Sequence, residues 1–239
     1  MELKVMSFNT QHCCNYITRT IDYDVMVKAI RDCGADIVGL NEIYGAGEAE
    51  FFEPQAQILA EKLGYHYYFA KAIEVFEDQT SPYGNALVSR YPIISAETIM
   101  VPDPIERQGE DEWYETRCLL KATIRVEGKD LTVCVMHFGL NPDEQLNAVQ
   151  TAVNNIEESA CILMGDFNVR PENPVLLPIR EVMYDTAELF EGERLSWPSD
   201  KPQRKIDYMF TSKDITVCSA DIPAIVASDH RPYIAQIEW

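Results

Sequence analysis

The stretch ILMGDFNVRP, residues 162–171, decides how this chain is read. An unbroken apolar run, typical of a strand covered on both faces, stops at Asp166, and Asn168, Arg170 and Pro171 follow within five positions. A buried strand that ends by presenting a carboxylate and then an amide is a strand whose edge faces something polar. The phrase has an echo in ADIVGLNE, residues 35–42, another continuous apolar run that ends in an acid, Glu42. Each is preceded by a helical pattern. Residues 23–33 close at Gly34, as a C-terminal glycine predicts, and residues 141–159 set Leu146, Val149, Val153 and Ile156 on one face. Two similar α/β halves packed through their sheets account for the echo.

Outward from these two phrases, residues 3–8 read as an alternating strand that ends at Asn9, and residues 51–63 as a helix stopped by Gly64. Residues 65–126 are short strand-like pieces punctuated by SPYGN, RYP and GEDEW. GKDLTVCVMHF, 128–138, is a turn followed by a strand that reaches His137. After Asp166 come a Pro-rich loop, a short helix, a second loop SWPSDKPQRK, and strands near 206–211, 215–218 and 233–238. No linker, low-complexity tract or close repeat divides the chain, which is read as one domain, 1–239.

Acidic residues number 39 against 20 basic, giving a formal charge of −19 and a pI near 4.5. Such a field repels polyanions at range, screened over about 8 Å at physiological salt, so nucleic acid is disfavoured as a partner. Seven cysteines, with no CxxC or Cys/His ligand spacing, fit free thiols in a reducing compartment. The amino terminus reads as a strand rather than a signal peptide and no apolar stretch approaches a membrane span, so a cytoplasmic protein with no membrane association is expected.

The polar residues collect in one kind of place. Asn9, Glu42, His137, Asp166 with Asn168, and Asp229 with His230 fall at the carboxyl ends of strands or in the loops that follow, where open α/β sheets bind ligands. Taken singly, an Asn or Asp after a strand is ordinary turn chemistry, and His12 and His66 are read as structural or surface residues. What lifts the set is its recurrence at one end of successive strands. Three carboxylates, two carboxamides and two imidazoles without a cysteine suit Mg²⁺ or Mn²⁺. Crowded carboxylates repel one another unless a cation is present, and a divalent cation also polarises phosphoryl oxygens.

The motifs MSFNTQ, LNEIYG, YGNALVSRYPI, ETRCLL, VMHFGL, MGDFNVRP, KIDYMF and SDHRPYIAQI, in this order, resemble those of the endonuclease/exonuclease/phosphatase superfamily of metal-dependent phosphohydrolases over essentially the whole chain. The resemblance implies a four-layer α/β sandwich, two mixed β-sheets packed face to face and flanked by helices. It also implies that Glu42 is the central ligand of a Mg²⁺ or Mn²⁺ ion, with Asn9 beside it and Asp229 completing its surroundings. Asp166 then orients or deprotonates the attacking water, Asn168 holds a phosphoryl oxygen, and His230, partnered by Asp207, contacts the scissile phosphate. His137 is a second phosphate contact or proton donor, and Arg117 a cation toward the phosphate. One departure is Gln11, which stands where the DNA-repair branch commonly carries an acid, and it argues against a second metal position.

For the substrate, enzymes of duplex DNA use many Lys and Arg contacts, whereas residues 103–115, DPIERQGEDEWYE, are acid-rich with Arg107 as their one cation. A small phosphate ester or phosphodiester is therefore expected, with Trp113 and Tyr114 available to stack on it, YHYYF (65–69) packing in the core, and Lys201, Arg204 and Lys205 forming a small basic cluster. The alternatives are a nuclease acting on DNA or RNA and, lower, a catalytically silent binding module on the same fold.

Overall fold

In the computed structural model, described for residues 2–48, 52–75 and 81–239, twelve strands form two six-stranded mixed sheets. The first sheet runs β11 (Thr216–Asp221), β12 (Tyr233–Glu238), β1 (Glu2–Asn9), β2 (Ile37–Tyr44), β4 (Pro82–Ser89), β3 (His66–Glu74). The second runs β5 (Ile93–Met100), β6 (Cys118–Val126), β7 (Lys129–His137), β8 (Cys161–Asp166), β10 (Asp207–Thr211), β9 (Tyr184–Asp185). At the centre of each lies one parallel pair, β1 with β2 and β7 with β8, flanked by antiparallel strands. The crossover between the partners of each pair carries a helix, α1 (Tyr23–Cys33) in the first and α3 (Pro142–Asn155) in the second. The α/β echo in the sequence is this repeated unit.

Alternation along the central strands sorts their side chains into layers. Leu3 and Val5 of β1 meet Val133, Val135, Ile162 and Met164 of the other sheet in the middle of the sandwich. Met6 and Phe8 point the other way, under α1 and α2 (Gln55–Leu63), and Met136 and Leu163 lie under α3 and α4 (Leu177–Val182). Both faces of both sheets are covered at their centre, so the central strands are largely apolar and the architecture is the expected four-layer sandwich. The sheets approach most tightly at Gly39, where an added Cβ would lie 2.7 Å from Met164 Sδ.

Helix ends follow their local chemistry. The Asp22 carboxylate accepts from the Asp24 and Val25 amides and caps α1, which closes at Gly34 with φ of 63°. Three expectations need adjustment. The helix expected over 51–63 begins at Gln55, because Pro54 disfavours helical backbone at the residue before it; Phe51 lies outside the described residues. The helix expected over 141–159 spans Pro142–Asn155, and its buried stripe runs through Gln145, Ala148, Val149 and Ala152, which leaves Leu146 61% exposed. In YHYYF, expected in the core, β3 is an edge strand, so His66 is exposed and Tyr67 is 45% exposed. All seven cysteines are free thiols, and among the described residues no helix is long and apolar enough to cross a membrane.

Candidate active site

Register brings the polar strand ends together. His137 of β7 pairs with Asp166 of β8, and Asp166 pairs in turn with Asp207 of β10, so three polar residues stand in a row across one sheet edge. On the facing sheet Asn9 pairs with Asn41, beside Glu42. These two edges and the loops beyond them line a cavity of about 530 Å³, whose walls include His12, Glu42, Glu115, Arg117, His137, Asp166, Asn168, Asp229 and His230.

Two backbone devices aim the carboxylates. Gly165 has φ of 148°, and a Cβ there would lie 1.8 Å from the Met136 carbonyl, so only glycine lets β8 run against β7 immediately before Asp166. Glu42 itself has φ of 57° where the pairing of β2 with β4 slips, a bulge that turns its side chain out of the strand pattern and into the cavity. A cross-sheet amide bridge fixes the spacing. Asn41 Oδ1 accepts from the Asp166 amide at 2.9 Å, while Asn41 Nδ2 donates to Asn85 Oδ1 and to the Met136 carbonyl, both at 2.8 Å.

At one side of the cavity Asp166 and Asp207 hold His230 between them. His230 Nδ1 lies 2.8 Å from Asp207 Oδ2, and Nε2 lies 3.5 Å from Asp166 Oδ2. Burial opposes a charge on the ring, but the Asp207 and Asp166 carboxylates outweigh it and raise the imidazole pKa to about 10. Burial likewise disfavours charge on Asp166, and against the pull of His230 it lifts that carboxyl to about 7. Asn168 donates its backbone amide to Asp166 Oδ1 at 3.0 Å and its side-chain nitrogen to the Phe138 carbonyl at 3.0 Å.

His137 is the opposite case. Its Nδ1 lies 3.2 Å from Arg117 Nη1 and its Nε2 lies 3.2 Å from the Asn168 amide nitrogen, so both neighbours are donors and a second proton on the ring would find no acceptor. Burial first, then Arg117 and His230, keep its pKa well below the usual histidine value. The guanidinium is the stronger donor, which assigns Nδ1 as acceptor and leaves a hydrogen on Nε2, 3.7 Å from Asp166 Oδ2. Arg117 is steadied by Glu115 at 2.9 Å, and Glu115 accepts from the Trp113 indole at 2.9 Å. The exposed Trp113 is thereby tied through two ion-pair partners to a buried imidazole.

At the other side Asn9 Nδ2 donates to Glu42 Oε1 at 2.9 Å and to Asp166 Oδ2 at 3.1 Å, while its oxygen accepts from the Gln11 amide at 3.1 Å. The fully buried Asn9 thus turns its nitrogen to both carboxylates, as a spacer between them. Glu42 and Asp229 line the cavity with no Lys or Arg at ion-pair distance among the described residues. His12, expected to be structural or surface, also lines this wall, stacked on Tyr44 at 4.2 Å with Nε2 3.6 Å from Glu42 Oε2. Tyr83, Trp197 and Arg204, with the Arg204 guanidinium 5.4 Å over the Trp197 ring, complete the rim.

A sequence model described as the endonuclease/exonuclease/phosphatase family matches residues 6–230. The chain belongs to this family. No curated protein matches it at the sequence level. Among solved structures the family fold is shared with an endonuclease/exonuclease/phosphatase from Beutenbergia cavernae, at TM-score 0.79 and 21% identity over 99% of this chain and 71% of that one. A mannosyl-6-phosphatase from Bacteroides thetaiotaomicron matches at TM-score 0.76 and 15% identity over 99% and 100% of the two chains. The human Nocturnin catalytic domain with bound sulfate matches at TM-score 0.70 and 18% identity over 99% and 93%.

Endonuclease/exonuclease/phosphatase enzymes typically use divalent metals, and the donor chemistry of this cavity fits one. Among the described residues Glu42 and Asp229 are hard oxygen donors with no Lys or Arg partner, and the neighbouring Gln11 Oε1 is buried with no hydrogen-bond partner. Asp166, Asp207 and His230 also bring ligand atoms within 4.8 Å of one another and could hold an ion. There, however, a charged imidazole already sits between the two acids and offsets part of their charge, so the Glu42 side has the greater need of a cation.

Beyond the expected residues, the site uses His12, Asn41, Tyr44, Asn85 and Glu115. Asn41, Tyr44, Asn85 and Glu115 fall inside the motifs that carry the family resemblance, and Asn41 is also a carboxamide inside an otherwise apolar strand; His12 lies outside those motifs.

Proposed function

We propose that this chain is a Mg²⁺- or Mn²⁺-dependent hydrolase of small phosphate esters or phosphodiesters, acting by in-line attack of water, with residues 1–239 working as one unit because the cavity draws on both sheets. The observation that carries the reading is the single cavity in which Glu42, Asp166, Asn168, His137 and His230 converge.

Each residue then has a task that its surroundings support. Asp166, raised to about 7, is poised to accept a proton from a water it orients. His230, charged and steered by Asp207, donates to a non-bridging phosphoryl oxygen. Asn168 adds a neutral donor, and His137, kept uncharged by Arg117, offers Nε2–H. Glu42 and Asp229 would hold the divalent ion, which would supply charge neutralisation for the phosphoryl and leaving oxygens. Asn9 sets the separation of Glu42 from Asp166 rather than lending its own oxygen.

Asp166→Asn and His230→Ala should each lower metal-dependent turnover by at least about 10²-fold, the usual scale of a positioned base or oxyanion donor. Near-wild-type rates in both purified variants would remove the assignment. A nuclease reading draws support from the Trp113 and Trp197–Arg204 rim, which suits base stacking. A panel of nitrophenyl phosphodiester, sugar phosphates, nucleotides and oligonucleotides separates the two. Preference for oligonucleotides with steep salt dependence would select the nuclease. The −19 charge supports the small-molecule reading, and seven free thiols suit a reducing, cytoplasmic setting.

A further inference from the structure

Residues 11–13 are unlike any other segment of the site. Gln11, His12 and Cys13 are three consecutive residues with positive φ, at 47°, 56° and 57°. Each such non-glycine residue costs of order 1 kcal/mol or more and persists only where its surroundings over-determine it. Here they do. The His12 amide donates to the Glu42 carbonyl at 2.9 Å, and the His12 carbonyl accepts from Gln55 Nε2 at 2.8 Å, whose Oε1 accepts from the Tyr44 amide at 2.9 Å. The loop is therefore clamped to β2 on both sides of Glu42, and the His12 ring lies flat on Tyr44 with an interplanar angle of 3°.

Among the described residues Nδ1 is buried without a partner at full hydrogen-bond geometry, and Nε2 faces Glu42 Oε2 at 3.6 Å, beyond hydrogen-bond reach. Two donors about 2.1 Å from a common ion sit between about 3.0 Å and 4.2 Å apart as their angle opens, and the His12–Glu42 separation falls inside that range. Ligation through Nε2 also leaves one unpaired ring nitrogen instead of two.

We propose that His12 is a nitrogen ligand of the divalent ion held by Glu42, and that it tilts the site away from Mg²⁺ toward first-row transition metals. The proposal rests on the metal-dependent reading above. Its chemistry follows from the donor: Mg²⁺ takes oxygen almost exclusively, whereas imidazole is a good ligand for the transition ions.

The test is pulsed EPR of the apo-protein titrated with Mn²⁺ alone. Wild type should show the nitrogen modulation of a bound imidazole, converted to the ¹⁵N pattern by histidine-specific labelling, which needs no variant. His12→Gln, folded by circular dichroism, should lose the modulation. It should weaken Mn²⁺ at least about tenfold, the lower end of what even an outer partner contributes, while moving Mg²⁺ affinity less. Mn²⁺ bound in a Glu42-dependent manner with no imidazole modulation, or modulation that survives in His12→Gln, overturns this inference alone. Absence of Mn²⁺ and Mg²⁺ binding in wild type, with Glu42→Gln indistinguishable from it, overturns the metal-dependent reading as well.

Discussion

The two sides of the cavity are built from the same acids but balanced differently. At Asp166 and Asp207 the chain supplies its own cation, His230, gripped at 2.8 Å and 3.5 Å by the two carboxylates. At Glu42 the nearest base is His12, which burial keeps below the usual histidine pKa despite Glu42, Glu115 and Asp229 close by, and Asp229, with no ion-pair partner among the described residues, feels His230 only at longer range. A carboxylate pair balanced from within is suited to moving protons, whereas one left unbalanced is suited to receiving an external cation.

The sharpest way to break this comparison is to disarm one side only. Asp207→Asn leaves the shape but removes the carboxylate that orients and charges His230; kcat should fall by about 10²- to 10⁴-fold, the range seen when such a partner is neutralised. Mn²⁺ affinity, measured calorimetrically, should move less than about threefold, within 0.7 kcal/mol. The mirror experiment, Glu42→Gln, should raise the metal dissociation constant by about 10- to 100-fold or more. An unchanged high-pH titration of His230 in that variant, followed by NMR, would keep the two sides independent; a large shift would merge them.

A third perturbation sits behind Asp207. Lys205 is buried, donates to the Asp207 carbonyl at 3.2 Å, and lies 3.3 Å over the Tyr208 ring, with Tyr233 beyond. Among the described residues no carboxylate reaches ion-pair distance of it. Burial lowers its pKa to about 8 although Asp185 and Asp207 pull upward, while Arg180 adds to the decrease. Because the folded value lies below the unfolded one, the unfolded chain binds more protons between about pH 8 and 10.5. Stability therefore rises with pH through that window, by up to about 3 kcal/mol. Chemical denaturation at pH 7.5 and 9.5 should give wild type a larger gain than Lys205→Met; equal gains would mean that the ammonium is not penalised. The smallest expected effect is at the rim. Trp113→Ala should raise KM by about 5- to 10-fold, roughly 1 kcal/mol of lost stacking, with kcat little changed.

Much of this was legible in the chain. The apolar runs ending at Glu42 and Asp166, each following a helix, gave away the repeated βαβ unit, because period and punctuation are local properties. Asn9, His137 and Asp166 were readable as one group because the carboxyl ends of parallel-paired strands fall on one edge of each sheet, whereas His230 joins them from the loop before β12, a strand antiparallel to β1. His12 was not readable. Its location depends on three left-handed residues and on a bulge at Glu42, and neither leaves a mark on hydrophobic periodicity. The family resemblance implies Asn9 beside the ion; which end of its amide faces the two carboxylates is set by the Gln11 amide, a tertiary detail. The surface stripe of α3 shifted for a related reason, since Leu146 fits the helical period as well as Gln145 does but the loop at Gly139 and Leu140 captures the glutamine.

On the function proposed above, a divalent cation seated at Glu42 completes a phosphoester-cleaving site whose other half is complete in the protein itself. Hydrolysis of a nitrophenyl phosphodiester should vanish on chelation, return on adding back Mn²⁺ or Mg²⁺, and require at least about tenfold more metal for half-activation in Glu42→Gln than in wild type. Hydrolysis indifferent to chelator, or half-activation identical in the two proteins, would contradict it.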